Sequence, residues 1–200
     1  MRKTLLIVAL LIYVVFHVNA QAVFKIGEGS TMTITGTSTI HDWASKVNEI
    51  NGTYLFKENI LDKKLPKSGG IINQVIMEIP VKSIESPRGA TMDNKTYNAL
   101  KYEEYPNITF EVTQDKIESI TDQNAGSFRL NVTGNLNIAG YTREISLTLD
   151  GQKFGQDSLK FTGSFPIDMV TYEIEPPTAM FGQIKTGKDV TIDFELTLVR

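Results

Sequence analysis

Phe128-Arg129-Leu130-Asn131-Val132-Thr133-Gly134-Asn135-Leu136-Asn137-Ile138 alternates apolar and polar positions for eleven residues. A period of two over that length is a β-strand with one apolar and one wet face. The same phase recurs downstream. Ile145, Leu147 and Leu149 follow a turn at Ala139-Gly140-Tyr141, and Leu159, Phe161, Gly163, Phe165 and Ile167 follow Gly155-Gln156-Asp157. Val190, Ile192, Phe194, Leu196 and Leu198 close the chain. Upstream, Ile108, Phe110 and Val112 form one such face, Val75, Met77, Ile79 and Val81 another, and Met32 and Ile34 alternate with threonines. With a strand at residues 52–56, about eight strands are predicted, separated by turn chemistry at Gly27, Gly69-Gly70, Gly126, Gly151 and Gly187. That is the spacing of an antiparallel sandwich or barrel. Gly36, Gly52, Gly134 and Gly163 lie in or beside long strands, where glycine marks bends and corners, and this favours closure into a barrel. One short helix is predicted over residues 92–104, capped by Asp93 or Asn94, with Tyr97, Leu100 and Lys101 on one side and Pro106 forbidding continuation.

Arg2 and Lys3 precede the apolar run LLIVALLIYVVFHV at residues 5–18, and Val18-Asn19-Ala20 ends in small-residue cleavage chemistry. Residues 1–20 are therefore predicted to be a signal peptide, and 21–200 one mature domain in the periplasm or outside the cell. The run is shorter than the roughly 20 residues a spanning helix needs, so no stable membrane insertion is expected after cleavage. Removing Arg2 and Lys3 takes the formal charge from −3 to −5. An acidic chain without a basic run argues against nucleic acid as a partner, and against electrostatic binding to anionic membranes. There is no cysteine, so stability rests on the core.

Catalytic chemistry is sparse. With His17 in the signal segment, His41 is the one remaining imidazole, and no metal site or cofactor is expected from it and scattered carboxylates. Adjacent residues on an extended segment point opposite ways, so Asp42 cannot readily orient His41, and no partner for His41 is legible. No nucleophile elbow or phosphate-cradling loop is present. The chain is not expected to be an enzyme. A hydrolase built on carboxylates and a β-sandwich module for adhesion or carbohydrate binding are the alternatives from other classes.

Four segments carry a family resemblance. Thr37-Ser38-Thr39-Ile40-His41-Asp42-Trp43 is one. Met92-Asp93-Asn94, Ala99-Leu100 and Tyr105-Pro106-Asn107-Ile108-Thr109-Phe110 form the second. The others are Gly134-Asn135-Leu136-Asn137-Ile138-Ala139-Gly140-Tyr141-Thr142-Arg143 and Gly187-Lys188-Asp189-Val190-Thr191-Ile192. In this order they resemble the motifs of the YceI-like family. The resemblance implies an extended, eight-stranded, antiparallel, lipocalin-like barrel in periplasmic or secreted proteins, holding a long isoprenoid chain such as a polyprenyl or quinone tail. The lysine-rich segment 58–68 departs from the family pattern and reads as a longer loop.

In a barrel, one parity on each strand faces the interior. The in-phase apolar residues are then the expected lining of a lipid pocket: Ile34, Val75, Met77, Ile79, Ile108, Phe110, Val112, Phe128, Leu130, Val132, Leu136, Ile145, Leu147, Phe161, Phe165, Ile192, Phe194 and Leu196. His41, Asp42 and Trp43 are expected either at the mouth, against a head group, or as a plug, with Trp43 filling one end.

Overall fold

The computed structural model describes residues 21–61, 64–155 and 157–200. The predicted signal peptide lies outside the described residues. Twelve strands follow in order. They are β1 (Gln21–Ile26), β2 (Thr31–Ser38), β3 (Trp43–Val47), β4 (Asn51–Lys57), β5 (Ile72–Pro80) and β6 (Ile84–Glu85), then β7 (Asn107–Asp122), β8 (Ser127–Ile138), β9 (Tyr141–Phe154), β10 (Ser158–Asp168), β11 (Thr178–Ala179) and β12 (Ile184–Val199). One α-helix is found among the described residues, α1 (Ala90–Ala99), between β6 and β7.

All pairings are antiparallel, and β1 pairs with both β4 and β12, which closes the sheet. The wall has eight staves, three of them broken in two. β1 and β2 run successively along the same edge of β12, Lys25 opposite Val199 and Thr31 opposite Glu195. β4 then pairs β1 where β3 pairs β2, and β5 pairs β4 where β6 pairs β3. Each of the eight predicted strands is one stave. The three breaks, at residues 27–30, 48–50 and 81–83, lie side by side across the wall, so the barrel bends along one seam. The Ser30 hydroxyl bridges that seam, donating to the Gly27 carbonyl at 2.9 Å and accepting from the Thr197 N–H at 3.0 Å. The unbroken staves are long: at about 3.3 Å per residue, the 16 residues of β7 or β12 span roughly 50 Å.

The β8–β9 connection is the tight hairpin expected, with Ala139 and Gly140 both at positive φ (50° and 86°), the primed turn that suits strand twist. Gly151 and Gly187 are not turns. Gly151 lies within β9, and Gly187 lies at a bulge inside β12. Gly36, Gly134, Gly151 and Gly163 share one function: each occupies an inward position over which a neighbouring strand's ring lies, Trp43, Phe110, Phe128 and Phe194 respectively. A Cβ on Gly134 would meet the Phe110 ring at 2.7 Å, and one on Gly163 the Phe194 ring at 2.6 Å. These glycines make room for rings against the wall.

The helix departs from expectation. It starts at Ala90 with Gly89 as N-cap, and no side chain caps it. Asp93 in its first turn instead accepts the Ser86 N–H at 2.7 Å, holding the incoming loop. No residue of α1 is buried. Tyr97 faces out and donates to the Lys82 carbonyl at 3.1 Å, while Met92, Lys95, Thr96 and Ala99 form the inward stripe.

One end of the barrel is solid. Phe24, Phe56, Phe128, Leu130, Leu159 and Phe161 pack there with Ile60, Leu65 and Ile71. The Phe56 and Phe161 rings stack at 5.8 Å, and Phe24 and Phe128 meet them edge-on at 5.4 and 6.1 Å. The lysine-rich segment thus supplies the stopper: Ile60 and Leu65 turn inward while Lys64 and Lys67 stay exposed. Asp115 ties it down, accepting the Ile71 and Ile72 N–H groups at 2.6 and 3.2 Å.

Candidate functional site

Above this floor the interior is hollow. An inner chamber of about 170 Å³ is lined entirely by apolar side chains and Tyr54. The Tyr54 hydroxyl donates to the Asn51 carbonyl at 3.0 Å, and burial pushes its pKa up, so it stays neutral. A chamber with no free polar group repels ions and head groups and accepts hydrocarbon.

An outer chamber of about 150 Å³ adjoins it towards α1. The two share six lining residues, all isoleucine: Ile34, Ile84, Ile108, Ile138, Ile167 and Ile192. These form a collar from six different strands. β-Branched side chains are stiff at χ1, so the boundary between the chambers keeps its shape. Beyond it the lining turns amphipathic, with Ser38, His41, Ser45, Ser86, Lys95, Thr96, Thr178 and Thr186 among apolar neighbours. Apolar chain below and polar-capable walls above is the layout that fits one amphiphile lengthwise.

Of the eighteen residues expected to line the interior, seventeen line the inner chamber. Phe128 does not: it is 1 % exposed in the aromatic floor, over Gly151. Its strand carries the inward phase past the end of the hollow, so parity alone could not exclude it. Sequence reasoning missed Val47, Tyr54, Phe56 and Ile84, because β3, β4 and β6 are short and broken at the seam, and Ile72, because a register shift between β4 and β5 takes it out of phase with Val75. Met32, Ile138, Leu149, Ile167 and Leu198 also line the chamber and already stood in phase in the sequence.

The three mouth candidates separate. His41 and Trp43 line the outer chamber, while Asp42 between them is exposed and lines neither. Trp43 is not a plug. Its ring lies over Gly36 and its indole N–H donates to the Thr37 carbonyl at 3.0 Å, which holds it flat against the wall. His41 has the partners that the sequence did not reveal. The Arg88 guanidinium meets Nε2, and Nδ1 lies 3.4 Å from the Ser38 hydroxyl. Arg88 lies 47 residues away, beyond the reach of any local pattern.

Among the described residues, no three His, Cys, Asp or Glu side chains converge as metal ligands, and no helix is long and apolar enough to cross a membrane.

A family model described as "YceI-like domain" matches residues 13–198. No curated protein matches the chain. Among solved structures, BcnA of Burkholderia cenocepacia is similar at 16 % identity and TM-score 0.62, over 86 % of this chain and 99 % of that one. A domain from Saccharophagus degradans, described as polyisoprenoid binding and implicated in plant cell wall breakdown, is similar at 12 % identity and TM-score 0.65, over 88 % and 97 %. The Campylobacter jejuni YceI protein is similar at 16 % identity and TM-score 0.54, over 78 % and 84 %.

Proposed function

The chain belongs to the YceI-like family, and on that footing we propose that it is an exported binding protein whose barrel holds a long-chain isoprenoid lipid, such as a polyprenyl or quinone tail. The observation that carries this reading is the inner chamber, closed below by packed aromatics and lined without a free polar group. A filled core would not leave it open, because interiors otherwise pack to crystal density. The polyisoprenoid-binding description of the Saccharophagus degradans domain supports the choice of ligand class. The apolar run and Ala20 support export.

The magnitudes suffice without a polar anchor. Each buried CH₂ contributes about 0.8 kcal/mol, so ten to fifteen carbons give on the order of 8–12 kcal/mol before ordering costs. Several kcal/mol of those costs still leave affinity around micromolar. Nothing in this scheme requires a reacting group, and we read the protein as a binder rather than an enzyme, in transport, storage or stress protection.

The test is native mass spectrometry and organic extraction of protein from its own host, with and without Ile145→Trp. Ile145 lines the chamber opposite Gly134, with empty space beyond its side chain. A prenyl lipid should accompany the wild type. The tryptophan variant should keep its melting temperature within a few degrees and lose the lipid, because the added volume enters a void and not a packed core. No lipid on the wild type, or a variant that melts far lower while any co-purifying lipid is unchanged, would show the interior to be a plain core.

A further inference from the structure

A carrier must meet its cargo where lipid is, and the structure is unusually apolar at the one place where that encounter would occur. β11 and the start of β12 form a hairpin whose stems, with Pro177, Thr178, Ala179, Ile184 and Thr186, are walls of the outer chamber. Its tip is Met180-Phe181-Gly182. Phe181 is fully exposed and Met180 is 65 % exposed. The three tip residues all sit in the left-handed region, at φ 50°, 55° and 84°. Two non-glycine residues held there carry a conformational cost, which persists only where surrounding structure imposes it. Here the Gly182 and Gln183 N–H groups bond back to Ala179 and Met180 at 3.1 and 3.2 Å, and the stems pair in register.

Two further apolar side chains flank the same mouth. Ile40 is 62 % exposed on a turn tied to the hairpin by the Thr39 N–H bond to the Lys185 carbonyl at 3.0 Å. Val170 is exposed on the turn whose neighbour Met169 lines the outer chamber. Cations stand at the base of the tip: Lys95 donates to the Thr178 carbonyl at 3.2 Å, and Lys185 is the register partner of Thr178. Neither is in an ion pair among the described residues. An apolar apex above unpaired ammonium groups matches a bilayer interface, where rings enter the acyl boundary and lysines reach phosphates.

We propose that the Met180-Phe181 hairpin, with Ile40 beside it, is a membrane-docking tip that seats the open mouth of the barrel on a lipid surface. The occupant is a bilayer, because the exposed Met180 and Phe181 side chains stand over Lys95 and Lys185 and the hairpin that carries them is continuous with the walls of the outer chamber. This rests on the carrier reading for its purpose, and its binding can be measured without it.

The experiment is flotation of the mature protein with vesicles of phosphatidylethanolamine and phosphatidylglycerol. It compares wild type, Met180→Ser/Phe181→Ser, Ile40→Ser and Phe154→Ser, with circular dichroism to check the fold. Phe154 is 68 % exposed at the closed end and serves as the control. The double variant should bind vesicles about tenfold more weakly or worse, as expected on removing large inserted apolar side chains. Ile40→Ser should weaken binding less, and Phe154→Ser should match the wild type. Absent wild-type flotation, or equal flotation of the double variant, overturns docking, and so does a tip that captures a protein while ignoring vesicles. Native mass spectrometry of the same samples reads lipid content separately. A chain that carries lipid but never floats refutes the tip alone, and one that floats empty refutes the carrier reading alone.

Discussion

Gly151 and Gly163 occupy equivalent inward positions, each beneath a phenylalanine ring from the next strand, yet the rings have different freedom. Phe128 over Gly151 belongs to the packed floor, where it meets Phe161 edge-on. Phe194 over Gly163 borders the inner chamber. Gly151→Ala therefore forces a ring into filled space and should cost about 1–3 kcal/mol. Gly163→Ala should push the Phe194 ring into the void, with stability changed by less than about 1 kcal/mol because alanine also restrains the unfolded chain. Urea denaturation separates the two variants, and lipid extraction should show that only Gly163→Ala reduces bound lipid while remaining stable. Equal destabilisation by both would mean that Phe194 is as tightly packed as Phe128.

At the scale of elements, one of the ties that hold the mouth titrates. Asp168 ends β10 and accepts the Val170 N–H at 2.9 Å, starting the turn at 169–172. The Lys188 ammonium, from the bulged start of β12, pairs with the same carboxylate. That pairing, with the Val170 N–H, holds the Asp168 carboxyl below its ordinary pKa and raises that of Lys188. A lowered folded-state pKa stabilises above the unfolded value near 4 and is lost as pH falls through the folded value. The raised lysine acts at the other end: its contribution is present below about 10.4 and disappears as pH rises through its folded value. The pair thus contributes a constant amount across neutral pH. Asp168→Asn should flatten the acid limb of the stability–pH curve and leave its shape near neutrality unchanged. An unaltered acid limb in thermal melts from pH 2 to 7 would show the pair to be energetically idle, as exposed ion pairs often are.

For the molecule as a whole, a hollow interior ties stability to its contents. A ligand that binds only the folded state stabilises by about 2.7 kcal/mol at a concentration a hundredfold above Kd. At roughly 2–4 °C per kcal/mol for a domain of this size, delipidated protein should melt about 5–10 °C lower and recover on adding prenyl lipid. Identical melting curves would indicate that the chambers are not occupied by a stabilising ligand. The sequence by itself determined one strand of each of the eight staves, its parity, and seventeen of the twenty-seven residues that line the inner chamber, because a two-residue period is written locally and a buried face tolerates no slip. Phe110, Val132, Ile192 and Phe194 could be assigned to the interior from their strands alone. Only the tertiary structure decided where the hollow stops, and so that Phe128 is floor and not lining, since free volume depends on what packs from other strands. It also decided that Ile60 and Leu65 fold in as a stopper, that Arg88 meets His41, and that six isoleucines from six strands close into one collar. Those facts join residues separated by tens of positions, and no local period encodes a meeting between strands that only closure of the barrel brings together.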